Sequence, residues 1–165
     1  MDLPEQNETR GSARIRPVDA SQISELIRIS EAANLSPWSA QSYLDEMKNP
    51  DSIMLRLVGV DNTTAGFVVG RLVINSENEI KFDAEIYNIA VVKNKQKEGL
   101  GQLLLDAFIK VCLERRVVNV WLEVRESNQK AIAFYKKNHF EHIQTRNHFY
   151  DNPREHALLM KLILK

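Results

Sequence analysis

The sequence predicts an α/β fold built on a mixed central sheet with flanking helices. Three observations predict it. Strand-like residues at 85–92, helical spacing over 101–115 and a second strand pattern at 118–124 follow one another. That is βαβ order, which gives parallel strands joined by a right-handed crossover. Two further strand pairs, 53–60 with 65–74 and 140–149 with 157–164, are separated by the turn sequences Asp61-Asn62-Thr63-Thr64 and Asp151-Asn152-Pro153. Short turns of this kind join antiparallel neighbours. The chain of 165 residues suits one domain, large enough to bury a core without disulfide staples.

Taken in order, residues 1–12 are polar apart from Met1, Leu3 and Pro4 and are expected to form a flexible arm. Residues 13–165 then make the single domain. Ala13–Arg16 opens it as a short strand. Asp19 caps a helix near 20–32, whose Ile23, Leu26, Ile27 and Ser30 recur at helical spacing. Ser36-Pro37-Trp38-Ser39 interrupts the chain, and Ser39 caps a second helix with Tyr43, Leu44 and Met47 before Pro50. The first hairpin follows and ends in the polar stretch 75–81. The helix through Arg115 buries Leu103, Leu104, Ala107, Phe108, Val111 and Cys112 on one broad face. In strand 118–124 the alternate set Val118, Val120, Leu122 and Val124 faces the core, and Asn119, Trp121 and Glu123 face the other way. Asn128–Lys137 is a short helix carrying Ala131, Phe134 and Tyr135, and a final hairpin closes the domain.

Composition excludes several functions. Lys and Arg number 22 and so do Asp and Glu, so there is no basic excess for nucleic-acid binding. No apolar run reaches the roughly 20 residues that span a bilayer. Met1-Asp2-Leu3-Pro4-Glu5 does not read as a signal peptide. The lone Cys112 fits a reducing compartment, and the four scattered histidines form no metal-ligand cluster with it. A soluble, cytoplasmic protein without membrane partner or metal is expected.

Connectivity alone places a candidate site. Ligands of open α/β sheets gather at the carboxyl ends of parallel strands. The loop 93–101 follows one such strand, and Glu123–Asn128 ends the next. Gln96-Lys97-Glu98-Gly99-Leu100-Gly101 stands where a helix begins, where unpaired N–H groups and glycine backbone suit a phosphate or pyrophosphate. Lys97 adds positive charge and Glu98 opposes it. The plainer alternative is a tight turn relieved by Gly99 and Gly101. The loop lacks the Gly-Lys-Ser/Thr of a Walker A sequence, and Leu104 stands where a dinucleotide fingerprint needs its third glycine.

Several motifs resemble the GCN5-related N-acetyltransferase superfamily, and more closely the bacterial ribosomal-protein alanine N-acetyltransferases. Gln96, Gly99 and Gly101 match the superfamily's Gln/Arg-x-x-Gly-x-Gly/Ala loop. The closer family shares Asn88-Ile89-Ala90-Val91, the long run Trp121-Leu122-Glu123-Val124-Arg125-Glu126-Ser127-Asn128, Pro37-Trp38-Ser39, the segment from Ala131 to Tyr135, and Arg154-Glu155. The resemblance covers nearly all of 13–164. It implies a sheet whose two central parallel strands splay apart at an irregularity near Asn88–Val91. It also implies acetyl-coenzyme A as co-substrate: backbone at Ile89, Ala90 and Val91 holds the pantetheine arm and thioester, 96–101 holds the pyrophosphate, and Asn128 contacts the pantetheine side.

The same resemblance assigns the chemistry. The acceptor amine must be neutral to attack, and a protein α-amino group titrates near 7.7–8.0, so a carboxylate base faces a modest task. Glu123 matches the family's base and Tyr135 its acid toward the departing sulfur. Trp38, Asn88, Glu126 and Tyr150 are expected to line the acceptor side. For Glu123 the alternative is a solvent-facing charge or a pair with Arg125. Trp38 has the alternative of packing the first two helices, and Tyr135 of anchoring its helix. The implied acceptor is a ribosomal-protein N-terminus, the alanine of small-subunit ribosomal protein eighteen. A small-amine acetyltransferase and a noncatalytic acyl-coenzyme A-binding module are the competing readings. Two departures from the pattern are Glu98 in the loop and Asn138-His139-Phe140 in place of a glycine-phenylalanine ending.

Overall fold

The computed structural model describes residues 13–74 and 82–165. The expected arm 1–12 and the polar connection 75–81 lie outside the described residues. Strands are β1 (Arg14–Pro17), β2 (Ser52–Val58), β3 (Thr64–Ile74), β4 (Phe82–Val91), β5 (Val117–Arg125), β6 (Glu141–Asp151) and β7 (Arg154–Ile163). Helices are α1 (Ile23–Ala32), α2 (Ala40–Met47), α3 (Leu100–Glu114) and α4 (Gln129–Lys137), with 3-10 turns at Ala20–Gln22 and Lys93–Lys95. The strands form a mixed sheet in the order β1-β2-β3-β4-β5-β7-β6. β4 and β5 are parallel, as the βαβ pattern requires, while β1–β2, β5–β7 and β6–β7 are antiparallel.

The chain divides into two compact units, both of which include parts of β3 and β4. The described part of the first is residues 13–70 with Asn88–Val111. Asp19 accepts from Ser21 N–H at 2.8 Å while Gln22 accepts the Asp19 N–H at 2.9 Å. This reciprocal cap closes a 3-10 turn, so α1 starts at Ile23 rather than 20. Ile23, Leu26 and Ser30 are buried as the spacing suggests, while Ile27 is only half-buried and Ile29 joins the buried face. Ser39 caps α2 as expected, accepting from Ser42 N–H at 3.0 Å.

In this unit β2 is buried from Ile53 to Val58 and β3 from Thr64 to Gly70, so both faces are covered. Adjacent residues show by what. The Phe67 ring meets Tyr43 of α2 edge-on, with centroids 6.3 Å apart. On the opposite face a Cβ built on Gly66 would stand 3.0 Å from Leu104 Cδ1 of α3 and 2.7 Å from the Ala90 carbonyl oxygen of β4. A glycine inside a strand therefore marks a close approach of two backbones. Phe67, Tyr43, Leu104, Leu105 and Phe108 are shielded completely from solvent.

The second unit holds Arg71–Tyr87 and Cys112–Lys165, less the residues not described. Its β4–β5 ladder runs Phe82↔Val117, Ala84↔Val120, Glu85↔Trp121 and Ile86↔Leu122, with one extra β5 residue between the first two pairs. That bulge corrects the expected alternation: Val117 is buried and Val118 only half-buried, while Val120, Leu122 and Val124 keep the core face. The one register shift in this ladder lies at its start, between Phe82 and Ala84, and its registered pairs stop short of Asn88–Val91. The registered pairing ends at Ile86↔Leu122, and β4 keeps its buried and half-buried alternation through Val91. Asn128 caps α4, accepting from Ala131 N–H at 3.1 Å, so that helix begins one residue later than expected. The β6–β7 hairpin turns at Asn152-Pro153, as the sequence indicates. Among the described residues no helix is long and apolar enough to cross a membrane.

Candidate active site

In the first unit the expected donor-binding residues follow one another along β4 and the loop to α3. Gln96 donates its Nε2 to the Val91 carbonyl at 3.2 Å, which braces the loop against the strand end. Lys97 and Gly99 both adopt left-handed backbone, at φ 68° and 80°. Gly99 takes it without strain, whereas at Lys97 it is unusual for a side chain of that length. The Gly99 carbonyl accepts from Gln102 and Leu103 N–H at 3.1 and 3.2 Å. The N–H groups before them, at the first turn of a fifteen-residue helix, have no acceptor within that helix. Lys97 and Glu98 are exposed. The loop therefore has the left-handed turn and helix start that an anion needs, with Glu98 out in solvent.

A cleft of about 220 Å³ adjoins this loop. Arg28, Ile29, Ala32 and Ala33 of α1 form one wall, and Val91, Val92, Lys93 and Gln96 the other. Arg28 and Lys93 bring positive charge that the sequence reading did not single out; a lone arginine on an amphipathic helix carries no signal of its own. Deeper in the unit, Asn88 is 4% exposed and its Nδ2 has no hydrogen-bond partner. A buried amide left unpaired is costly, and a ligand group reaching this point would complete the set. The Tyr43 hydroxyl, beside Ser30 and Asn88, likewise lacks a well-formed hydrogen bond. Burial pushes its phenol up, partly offset by those two neighbours. Trp38 is half-buried with its ring 5.2 Å from that of Tyr43, the packing arrangement between the first two helices.

The second unit gathers the titratable residues. Glu85 and Trp121 are registered neighbours on parallel strands, so Asp83, Glu85 and Tyr87 share a sheet face with Asn119, Trp121 and Glu123. Asp83 is buried and accepts from Asn119 Nδ2 at 2.9 Å and Trp121 Nε1 at 2.7 Å. These bonds fix the indole two residues before Glu123. The Glu123 side chain is 16% exposed and pairs with Arg146 of β6, Nη1 to Oε1, at 2.5 Å. The expected alternative pairing with Arg125 does not occur. Arg125 instead bonds Glu155 at 3.0 Å and the Pro153 and Asn152 carbonyls at 3.2 Å, clasping the β6–β7 turn.

Burial raises the Glu123 carboxyl above its ordinary range; Arg146 pulls it down and Glu85 pushes it up. Glu85 is also raised, by burial, against the pull of Arg146 and Arg71. The sequence reading missed Glu85 because one acidic residue in a strand reads as a solvated edge. Tyr135 is buried, with Phe134 and Phe140 rings 5.4 and 5.5 Å away, so it does anchor its helix. Burial raises its phenol strongly and Tyr150 adds to this. Tyr150 stacks under the Arg125 guanidinium at 4.0 Å, and its phenol is raised by burial and then by Glu123. Tyr150 thus links the other two: Glu123 raises its phenol, and it in turn adds to the rise at Tyr135. Asn128 spends its side-chain oxygen on the α4 cap. The Glu126 side chain is exposed and is not drawn into this set.

Chemically, a raised carboxylate beside protonated phenols can take a proton and give one. Cys112 is buried in α3 with its thiol pushed up to about 12, which removes it as a nucleophile. Among the described residues no cluster of metal-ligand types occurs.

Comparison with known proteins bears on what reaction this is. Residues 22–140 match the model of the Acetyltransferase (GNAT) family. A [ribosomal protein bS18]-alanine N-acetyltransferase of Salmonella typhimurium is 32% identical over 137 residues, 82% of this chain and 86% of the relative. That of Haemophilus influenzae is 32% identical over 153 residues, 91% of this chain and 98% of the relative. The crystal structure of the ribosomal-protein-S18-alanine N-acetyltransferase from Escherichia coli superposes with a TM-score of 0.80 at 28% identity, covering 93% of this chain and 94% of that one. The helix-start loop, the unpaired Asn88 amide and the basic cleft fit the phosphates and amides of acetyl-coenzyme A, the donor this family uses. On the match across 22–140 and the identity shared along most of its length, this chain belongs to the acetyltransferase (GNAT) family.

Proposed function

We propose that the protein transfers acetyl from acetyl-coenzyme A to the N-terminal amine of a protein, with an N-terminal alanine of a ribosomal protein as its acceptor. Residues 13–165 act as one catalytic domain, and a cytoplasmic setting suits both such an acceptor and a free thiol. The observation that carries the reading is Glu123, a half-buried carboxylate with raised proton affinity beside Tyr150. The acceptor class follows the names of the Salmonella and Haemophilus relatives, which align with 82% and 91% of this chain.

Acetyl-coenzyme A supplies an acetyl group on a thioester. Backbone at Ile89, Ala90 and Val91 and the Asn88 amide orient it, and residues Gln96, Lys97, Glu98, Gly99, Leu100 and Gly101 present the helix start to its pyrophosphate. Arg28 and Lys93 add positive charge near that end, and Asn128 offers the amide nitrogen its cap leaves over. Glu123 takes a proton from the acceptor's ammonium, directly or through water, and passes it to solvent. The neutral nitrogen then forms its bond to the acetyl carbon while the carbon–sulfur bond breaks. The second amine proton leaves to Glu123, already emptied to solvent, while Tyr135 delivers a proton to the departing sulfur and is reprotonated from solvent. Trp38, Glu126 and Tyr150 border the acceptor. Because Glu123 must be ionised, kcat/KM falls as pH drops through its raised pKa.

The test is an acetyl-coenzyme A assay against N-terminal peptides and small amines, with mass spectrometry locating the acetyl group. Transfer to the α-amine of Ala-starting peptides, with little to lysine side chains, is the expected result. Robust acetylation of small amines with none on any peptide N-terminus would replace this reading by the small-amine one.

A further inference from the structure

Glu123 is paired with a cation, and the cation is the more exposed partner of the two. The Arg146 side chain is 47% exposed, against 16% for Glu123. Arg146 lies on β6, the last strand of the sheet order, at its final registered pair with Ala157 before the ladder breaks until Tyr150↔Glu155. His148 inside that break has φ 52°. The guanidinium also lies over the Phe149 ring, 5.6 Å from its centroid. Cation–π contact of that kind holds a guanidinium without a carboxylate.

We propose that Arg146 is a displaceable counter-ion: in the free protein it occupies the position on Glu123 that the acceptor's α-ammonium takes on binding, which makes Arg146 a specificity-determining residue for primary amines. This rests on reading Glu123 as the base of the acceptor site. A primary ammonium carries the same charge as the guanidinium and donates equally well to a carboxylate oxygen, so the exchange keeps the site's charge. With Arg146 displaced, the cation at Glu123 is the ammonium itself, so once its proton has moved no guanidinium remains there to oppose protonation of the carboxylate.

The other charges facing Glu123 do not substitute for Arg146. On β4, Glu85 repels it, and Asp83 is held by Asn119 and Trp121. On β5, Arg125 is committed to Glu155 and two carbonyls. On β7, Lys161 lies over the Trp121 ring at 5.1 Å and Glu155 is bound to Arg125. Tyr150 of β6 and Tyr135 of α4 are phenols raised by burial and so remain neutral.

Steady-state kinetics of the full chain, with an Ala-starting peptide whose only amine is its N-terminus, test the proposal across pH 6 to 9. In Arg146→Ala the peptide KM falls about two- to fivefold, the range open to a partly exposed ion pair, while the acetyl-coenzyme A KM stays put. The acid limb of kcat/KM moves up by as much as about 0.7 of a pH unit. Arg146→Lys restores both, and Arg146→Gln carries the test should the alanine variant melt early. Glu85→Gln moves the limb the other way, because a repelling charge is removed. A higher peptide KM in Arg146→Ala, or a limb that does not move, overturns the proposal. Full activity in Glu123→Gln would instead strike the reading of Glu123 as base, so the two failures are told apart.

Discussion

Glu123 is a compromise between burial and pairing. Its carboxyl is withdrawn enough from water to bind protons more tightly, and Arg146 limits the rise. Tyr135 is buried more deeply, and a phenol raised so far stays protonated at any working pH. It is therefore available as a donor and useless as a base. Tyr135→Phe is expected to lower kcat about a hundredfold or more, the range typical for loss of a general acid, with little change in the melting temperature. Measured turnover equal to wild type would leave Tyr135 as an anchor for α4 alone. At this scale the sequence was legible where the pattern is local. Alternation along 118–124 put Glu123 opposite the core face, and the structure agrees. Arg146, 23 residues downstream on another strand, and Glu85, on the parallel neighbour, reach Glu123 only through tertiary pairing, which no local pattern encodes. Val118 was misplaced for a similar reason, since a bulge is set by the partner strand.

The elements do their work through two close approaches. Gly66 lets β3 run against the Ala90 carbonyl and Leu104, and that stretch of β4 is the one proposed to orient the donor. Gly66→Ala would put a methyl 2.7 Å from a backbone oxygen, so β4 must shift. The expected cost is about 1–3 kcal/mol of stability, as for overpacking elsewhere, together with weaker acetyl-coenzyme A binding. Denaturant melts and isothermal titration measure both, and an unchanged affinity would separate β4's position from donor binding. Gly66 drew no notice in the sequence, because what a glycine in a strand approaches is set by the neighbouring strand and helix. The other approach is Arg125 on the β6–β7 turn. The caps at Asp19 and Ser39 were legible because a cap is a local hydrogen bond, whereas Arg125's clasp spans 27 to 30 residues.

For the whole molecule, parallel β4 and β5 joined by α3 follow from the order of patterns in the sequence, and membership of the acetyltransferase (GNAT) family follows from the match over 22–140. A family with one donor and many acceptors shares the donor site more than the acceptor site. Acetyl-coenzyme A should therefore stabilise the protein, by about 2.7 kcal/mol at a hundredfold excess over Kd, and a thermal melt with the donor reads this directly. The most direct test of the account compares Glu123→Gln with wild type for acetyl transfer to an Ala-starting peptide, both substrates saturating and donor affinity checked separately. Turnover lower by about a hundredfold or more, with donor affinity retained, is the predicted result. Undiminished turnover in that variant would contradict it.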